Sequence, residues 1–208
     1  MATLLKINTS LMETGNANRL AAAFVALWRK RHPDDRVITR DLTRGPIPHL
    51  DETTLTGFFT PAEQRNPEQQ AAVRLSDALI AELLAADVVV LGVPMYNFGI
   101  PSTLKAWIDH VARAGITFKY TENGPVGLIQ GKQVFVLAAR GGVHQGTPQD
   151  TQTGYLRNVL GFLGMTDVRF VYAEGLALGE AAKSQAEAAA LGQIAGLIGS
   201  RAPSPAAV

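Results

Sequence analysis

Hydrophobic and polar positions alternate along this chain with two different periods. Thr3–Ile7 is a short, mainly apolar segment that runs into the polar turn Asn8-Thr9-Ser10 and predicts a first strand. From Asn18 onward, Leu20, Phe24, Leu27 and Trp28 recur at spacings of three and four, which is one face of a helix. Val37-Ile38-Thr39 predicts a second strand, and Pro67 opens a long helix carrying Val73, Leu75, Leu79, Ile80 and Leu83-Leu84. The β-branched run Val88-Val89-Val90-Leu91-Gly92-Val93 is continuously apolar, as a strand buried on both faces is. Pro101 suits the first turn of another helix and Gly115 its stop. Val134–Ala138 predicts a fourth strand, Thr151–Leu163 a helix closed by Gly164, Val168–Tyr172 a fifth strand, and Glu180–Ile198 a final Ala-rich helix.

Strands that alternate with helices form a parallel sheet covered on both faces, so the fold class is α/β. For five strands the expected arrangement is the doubly wound, flavodoxin-like order 2-1-3-4-5. Neither a repeat nor a linker interrupts the pattern, which gives a single domain over residues 1–200 and a flexible tail over 201–208. This order sets the carboxyl ends of strands 1, 3 and 4 side by side, where such folds bind ligands. Function therefore falls on three loops, Asn8–Asn18, Pro94–Pro101 and Ala139–Gln145.

Composition narrows what that crevice holds. Lys+Arg is 19 against Asp+Glu 18, so no basic excess exists to neutralise nucleic-acid phosphates. With no cysteine, thiolate nucleophiles, disulfides and Cys-ligated metals are excluded, and a reducing, cytoplasmic setting is expected. Met1-Ala2-Thr3-Leu4-Leu5-Lys6 lacks the layout of a signal peptide, and the apolar stretch Val88–Met95 is far short of the roughly 20 residues of a membrane span, so a soluble protein is expected. No G-x-G-x-x-G follows a strand, Gly127…Gly131-Lys132-Gln133 has the wrong spacing for a triphosphate loop, and no G-x-S-x-G elbow is present. The four histidines, His32, His49, His110 and His144, show no pairing at metal-ligand spacing.

The three loops carry chemistry of another kind. The first opens directly into a helix, whose N–H groups suit a phosphate, and Ser10, Asn16 and Asn18 add donors; Asn16 or Asn18 would equally serve as a simple N-cap. The second, Pro94-Met95-Tyr96-Asn97-Phe98-Gly99-Ile100-Pro101, offers amides near Asn97 for the polar edge of a flat heterocycle, with Met95 and Tyr96 against its body. A rigid turn with aromatic packing is the lesser reading of the same residues. In the third, Gly141-Gly142 permits close backbone approach and His144 offers a donor to a ring carbonyl, although a lone loop histidine is as often simply solvated.

Pro94-Met95-Tyr96-Asn97-Phe98, Lys105-Ala106-Trp107-Ile108-Asp109, Gly115-Ile116-Thr117-Phe118 and Arg140-Gly141-Gly142 resemble the FMN-dependent NADH-azoreductase family, and the likeness runs from Leu4 to about Ile198. The resemblance implies that Ser10 and Asn16-Ala17-Asn18 hold the FMN phosphate. It places Met95, Tyr96, Asn97 and Phe98 along the isoalloxazine, and Ala139, Arg140, Gly141, Gly142 and His144 at its pyrimidine side. Two positions depart from the family pattern: Asn16-Ala17-Asn18 replaces a Ser-x-Ser, and Ala139 replaces a serine. Losing that hydroxyl removes one hydrogen bond, worth about 1 kcal/mol.

The activity implied is two-electron transfer from NADH, or NADPH, to quinones, aromatic azo compounds and nitroaromatics by a ping-pong mechanism, with the flavin carrying the chemistry and no side chain acting as catalyst. Phe118, Tyr120 and Phe162 are candidates to line a flat slot for the acceptor, and ordinary core packing is their other reading. The family works as a homodimer. The long segment Arg44–Asn66 carries Phe58-Phe59, which would reach over the neighbour's flavin or fold back on its own subunit. Trp107, set among polar neighbours, suggests a self-complementary contact. A flavodoxin-like electron carrier or flavin-binding regulator is the alternative, and the near-zero net charge disfavours the acidic docking surface of such a carrier.

Overall fold

A computed structural model describes residues 1–199, so the tail expected over 201–208 lies outside the described residues. The elements run β1 (Thr3–Asn8), α1 (Asn16–Arg31), β2 (Arg36–Asp41), α2 (Glu52–Phe59), α3 (Pro67–Ala85), β3 (Val88–Pro94), α4 (Ser102–Val111), β4 (Phe118–Thr121), β5 (Gly124–Gly127), β6 (Gln133–Ala139), α5 (Thr151–Phe162), β7 (Asp167–Ala173) and α6 (Glu180–Gly199). The main sheet has the order β2-β1-β3-β6-β7, all neighbours parallel. Leaving aside the β4–β5 hairpin, this is the expected 2-1-3-4-5.

β3 lies at the centre and every one of its residues is buried, which is why its sequence shows no alternation. Two cores flank the sheet. One packs Phe24, Trp28, Phe135, Ala190 and Ile194 under α1 and α6. The other packs Leu79, Leu83, Trp107, Ile108, Leu156 and Leu160 under α3, α4 and α5. Asn66 caps α3 through a reciprocal pair with Gln69, and Pro67 takes its first position, so that helix starts where the sequence says it should.

Four details differ from the sequence reading. α1 starts at Asn16 rather than Asn18, because Gly15 takes the N-cap position. The segment Arg44–Asn66 is not an open loop: it contains α2, capped by Asp51, and a short 3-10 turn over Ala62–Gln64. Trp107 is 1% exposed and belongs to the protomer's own core, while its neighbours Lys105 and Asp109 pair with each other on the outer face of α4. The residues between Gly115 and Gly131 form a two-stranded hairpin that turns through Glu122-Asn123, seated against the end of α5 where Gly127 and Gly164 meet backbone to backbone.

Gly92 sets the height of α1 over the sheet. A Cβ there would stand 2.7 Å from the carbonyl oxygen of Ala17, a backbone atom with no freedom to yield. Gly92→Ala is therefore expected to lower the unfolding free energy by about 1–3 kcal/mol, the usual cost of overpacking. Denaturant unfolding reads it directly, and an unchanged midpoint would show that the first turn of α1 does not depend on this approach.

Candidate functional site

The sheet order brings the ends of β1, β3 and β6 together, with Asn8 opposite Gly92 and Pro94 opposite Ala139. Ser10, Asn16, Ala17, Met95, Tyr96, Ala139, Arg140 and Gly141, drawn from all three predicted loops, line one cavity of about 270 Å³. A second cavity of about 640 Å³ shares Met95 and Tyr96 with the first and adds Asn97, with Leu11, Ile100, Pro101 and Ser102. Asn18, Phe98, Gly142 and His144 border neither cavity.

The first loop is wound tightly onto the start of α1. Thr9 Oγ1 donates to the Gly92 carbonyl at 2.7 Å, and the Gly15 N–H donates to the Met12 carbonyl at 2.9 Å. Asn18, buried, donates from Nδ2 to the carbonyls of Ser10 and Met12 and so organises the loop rather than facing the cavity. Gly15 supplies no side-chain cap and the first turn of α1 carries no acid, which leaves its N–H groups without the acceptor they require. A Cβ on Gly15 would fall 2.2 Å from Ser10 Oγ, so only glycine lets the hydroxyl approach the helix end. Ser10 Oγ and Tyr96 Oη lie 3.3 Å apart on the opposite wall. Helix N–H groups, two hydroxyls and no carboxylate make a cradle for an oxyanion.

The second loop is both a rigid turn and a cavity wall. Tyr96 and Gly99 exchange two backbone hydrogen bonds, of 3.1 and 2.9 Å, around Asn97 and Phe98, whose φ values are 50° and 64°. Positive φ at both central positions is the conformation of a type I′ turn. Asparagine tolerates it, whereas for phenylalanine it costs on the order of 1–3 kcal/mol. Residues strained in this way persist where the surroundings hold them, and such places cluster at ligand sites.

The third loop is fixed by a buried ion-pair cluster. Arg140 is among the residues lining the first cavity, and it is 1% exposed, with its guanidinium buried. Its guanidinium donates to Asp150 at 2.7 Å and to Glu174 at 3.0 Å. The same Glu174 oxygen accepts the N–H groups of His144 and Gln145, which fixes the loop over Gly141-Gly142. The His144 ring lies where a Cβ on Gly142 would meet Nε2 at 2.7 Å, with the Phe98 ring edge-on at 5.7 Å. Burial alone would raise the Asp150 carboxyl, but hydrogen bonds from Arg140 and Thr153 outweigh it and hold the group below the usual carboxylate range.

The candidate acceptor residues lie elsewhere in the protomer. Phe118 and Phe162 pack together at 4.4 Å at the edge of the core, Tyr120 is 73% exposed beside them, and none of the three lines either cavity. Phe58 folds back on its own subunit, its ring under the Arg113 guanidinium at 4.1 Å and edge-on to His110, because α2 buries that face. Phe59, next in the chain, is 72% exposed. Sequence reasoning missed Met12, Leu176 and Ala177 on the wall of the first cavity. The last two lie in Gly175-Leu176-Ala177-Leu178-Gly179, an apolar run between glycines after β7 that marks a fourth loop at the same edge. Among the described residues no cluster of His, Asp or Glu suits a metal ion, and no helix is long and apolar enough to cross a membrane.

Residues 2–197 match the model of a family described by its flavodoxin-like fold. The FMN-dependent NADH:quinone oxidoreductase of Cellvibrio japonicus is 56% identical over 93% of this chain and 97% of its own length. The protein of the same name from Dechloromonas aromatica is 55% identical over 94% of this chain and 98% of its own. Among solved structures, an azoreductase from Bacillus anthracis superposes with a TM-score of 0.88 at 32% identity, covering 95% of this chain and 99% of that one.

The lowered carboxyl of Asp150 gives the Arg140 pairing a pH signature. The unfolded chain protonates this group at a higher pH than the folded one, so its contribution is complete above about pH 4, the ordinary carboxylate value, and is lost as pH falls through the lower folded value. Asp150→Asn is expected to cost about 3 kcal/mol at neutral pH, the low end for breaking a buried pair because Glu174 still faces the guanidinium. Denaturant unfolding at several pH values should show the gap between the two proteins closing in acid. A gap independent of pH would remove the charge from the account.

Proposed function

The chain belongs to the flavodoxin-like fold family, and from that premise we propose that it is an FMN-dependent NADH:quinone oxidoreductase that also reduces aromatic azo compounds. The observation that carries the reading is the pair of cavities meeting at Met95 and Tyr96, one an oxyanion cradle and the other an open space walled by a rigid turn. The residues present fit FMN. The uncapped start of α1, Ser10 Oγ and the close approach enforced by Gly15 suit a singly esterified phosphate. Ala139 adds no hydroxyl, and Asn18 serves through the loop it holds.

Bound FMN supplies hydride transfer in both directions. The chain's task is to hold and shield it. Met95 and Tyr96 would border the ring, Asn97 would offer its amide to the polar edge, and Gly141, on the wall of the first cavity, would leave room on the pyrimidine side. No carboxylate, histidine or lysine lines the larger cavity. Donor and acceptor use the same open face in turn, which gives ping-pong kinetics, and close stacking geometry matters more than proton transfer. The functional unit is a cytoplasmic homodimer, in which the exposed Phe59 and Tyr120 are offered to the partner's site.

Purified protein is expected to be yellow and to release FMN, not FAD, on denaturation, as mass spectrometry of the cofactor reads. Anaerobic NADH alone should bleach it, and a quinone should restore the colour. Protein that binds flavin but is not bleached by NADH would favour the electron-carrier alternative.

The shared site has its own test. Phe59→Ser is expected to raise KM for bulky aromatic acceptors by about tenfold, or about 1.4 kcal/mol, while leaving FMN affinity nearly unchanged. Ultracentrifugation of the same protein reads its assembly. A fully active monomer would overturn the shared arrangement.

A further inference from the structure

Gln152, the second residue of α5, is 1% exposed and lies between the second and third loops. Its Oε1 accepts from Arg140 Nε at 3.2 Å. Its Nε2 donates to two carbonyls, Pro94 and Gly99, each at 2.9 Å. Pro94 ends β3 and Gly99 closes the strained turn, so one amide group grips both ends of the segment that carries Met95, Tyr96, Asn97 and Phe98. The preceding residue, Thr151, donates from Oγ1 to the Phe98 carbonyl between them.

Only a carboxamide can do this. It presents one acceptor and two donor hydrogens on one plane, whereas a carboxylate has no donor and a hydrocarbon has neither. The guanidinium has donors only, so Arg140 dictates that the amide oxygen faces it and that the nitrogen faces the turn. Arg140 is itself fixed by Asp150 and Glu174. The orientation of a charged side chain in the third loop is thus passed to the backbone of the second.

We infer that Gln152 is a positioning residue that holds the Tyr96–Gly99 turn in its positive-φ conformation, so that the ring-side wall is formed before the cofactor arrives. The inference rests on the FMN reading for its functional meaning, but its structural half does not need a cofactor.

The test compares wild type with Gln152→Glu, Gln152→Leu and Thr151→Val in the full chain. Thr151 is exposed, so its variant loses only the bond to Phe98 and keeps the fold. Ser76→Ala serves as control, because it removes a buried hydroxyl shared by His110 and Arg113, on the wall of neither cavity. FMN affinity is read by fluorescence quenching, the visible spectrum and midpoint potential of the bound flavin are recorded, and amide exchange at Tyr96 and Gly99 is followed in the cofactor-free protein.

Both Gln152 variants are expected to exchange these amides faster, to weaken FMN by about tenfold or more, as one buried unpaired group does, and to shift the flavin's potential. Thr151→Val should move the same readouts less, while Ser76→Ala lowers the melting temperature without moving them. Wild-type exchange, affinity and potential in the Gln152 variants, even with a lowered melting temperature, would overturn the inference. So would wild-type exchange in Thr151→Val if the Gln152 variants do not fold. A wild type that binds no FMN would instead defeat the proposed function, and the exchange rates would still decide whether Gln152 holds the turn.

Discussion

A guanidinium taken out of water must find acceptors for its donors, and Arg140 finds them on the segments just before α5 and just after β7. It leaves the end of β6, meets Asp150 just before α5 and Glu174 just after β7, and lies over the Tyr172 ring at 5.0 Å. The neighbouring loops then follow. The Glu174 oxygen that meets Arg140 also accepts the N–H groups of His144 and Gln145, and Asp150 also caps α5 through the Thr153 N–H. A buried charge of this kind adds little net stability compared with a well-packed apolar substitute. What it adds is a single permitted arrangement for three chain segments that converge on the cavity.

The fold was legible because each strand of the main sheet and each long helix advertised its period. β3 could be read as buried on both faces from its unbroken β-branched run, and alternation gave a parallel sheet whose common five-stranded order is the one found. The loops were legible for the same reason, since topology states which strand ends are adjacent before any side chain is considered. The hairpin over Phe118–Gly127 escaped because its strands are four residues each and mostly exposed, although Asn123-Gly124 carries a turn signal. α2 escaped because its inner face is Thr54, Gly57 and the half-buried Phe58, too little apolar repetition to stand out.

Side-chain direction was the part that one dimension hides. Arg140 stands beside two glycines in a ligand-facing loop, and the sequence gives no sign that its head is turned inward to carboxylates 10 and 34 residues away. Phe58 and Phe59 are adjacent and chemically identical, yet one is held against Arg113 and the other is bare. Such differences come from the direction in which a helix presents successive residues, and a short helix must first be recognised before that direction means anything.

The uncapped start of α1 has a consequence for the life of the chain. A helix that leaves its first N–H groups to a ligand is completed by that ligand, so the bound form gains stability in proportion to the logarithm of free cofactor concentration. Without the ligand that turn loses this support, and the loop that Asn18 ties to it is held by the same residues. Proteases act on what frays. Cofactor-free chains are the ones such cleavage would reach.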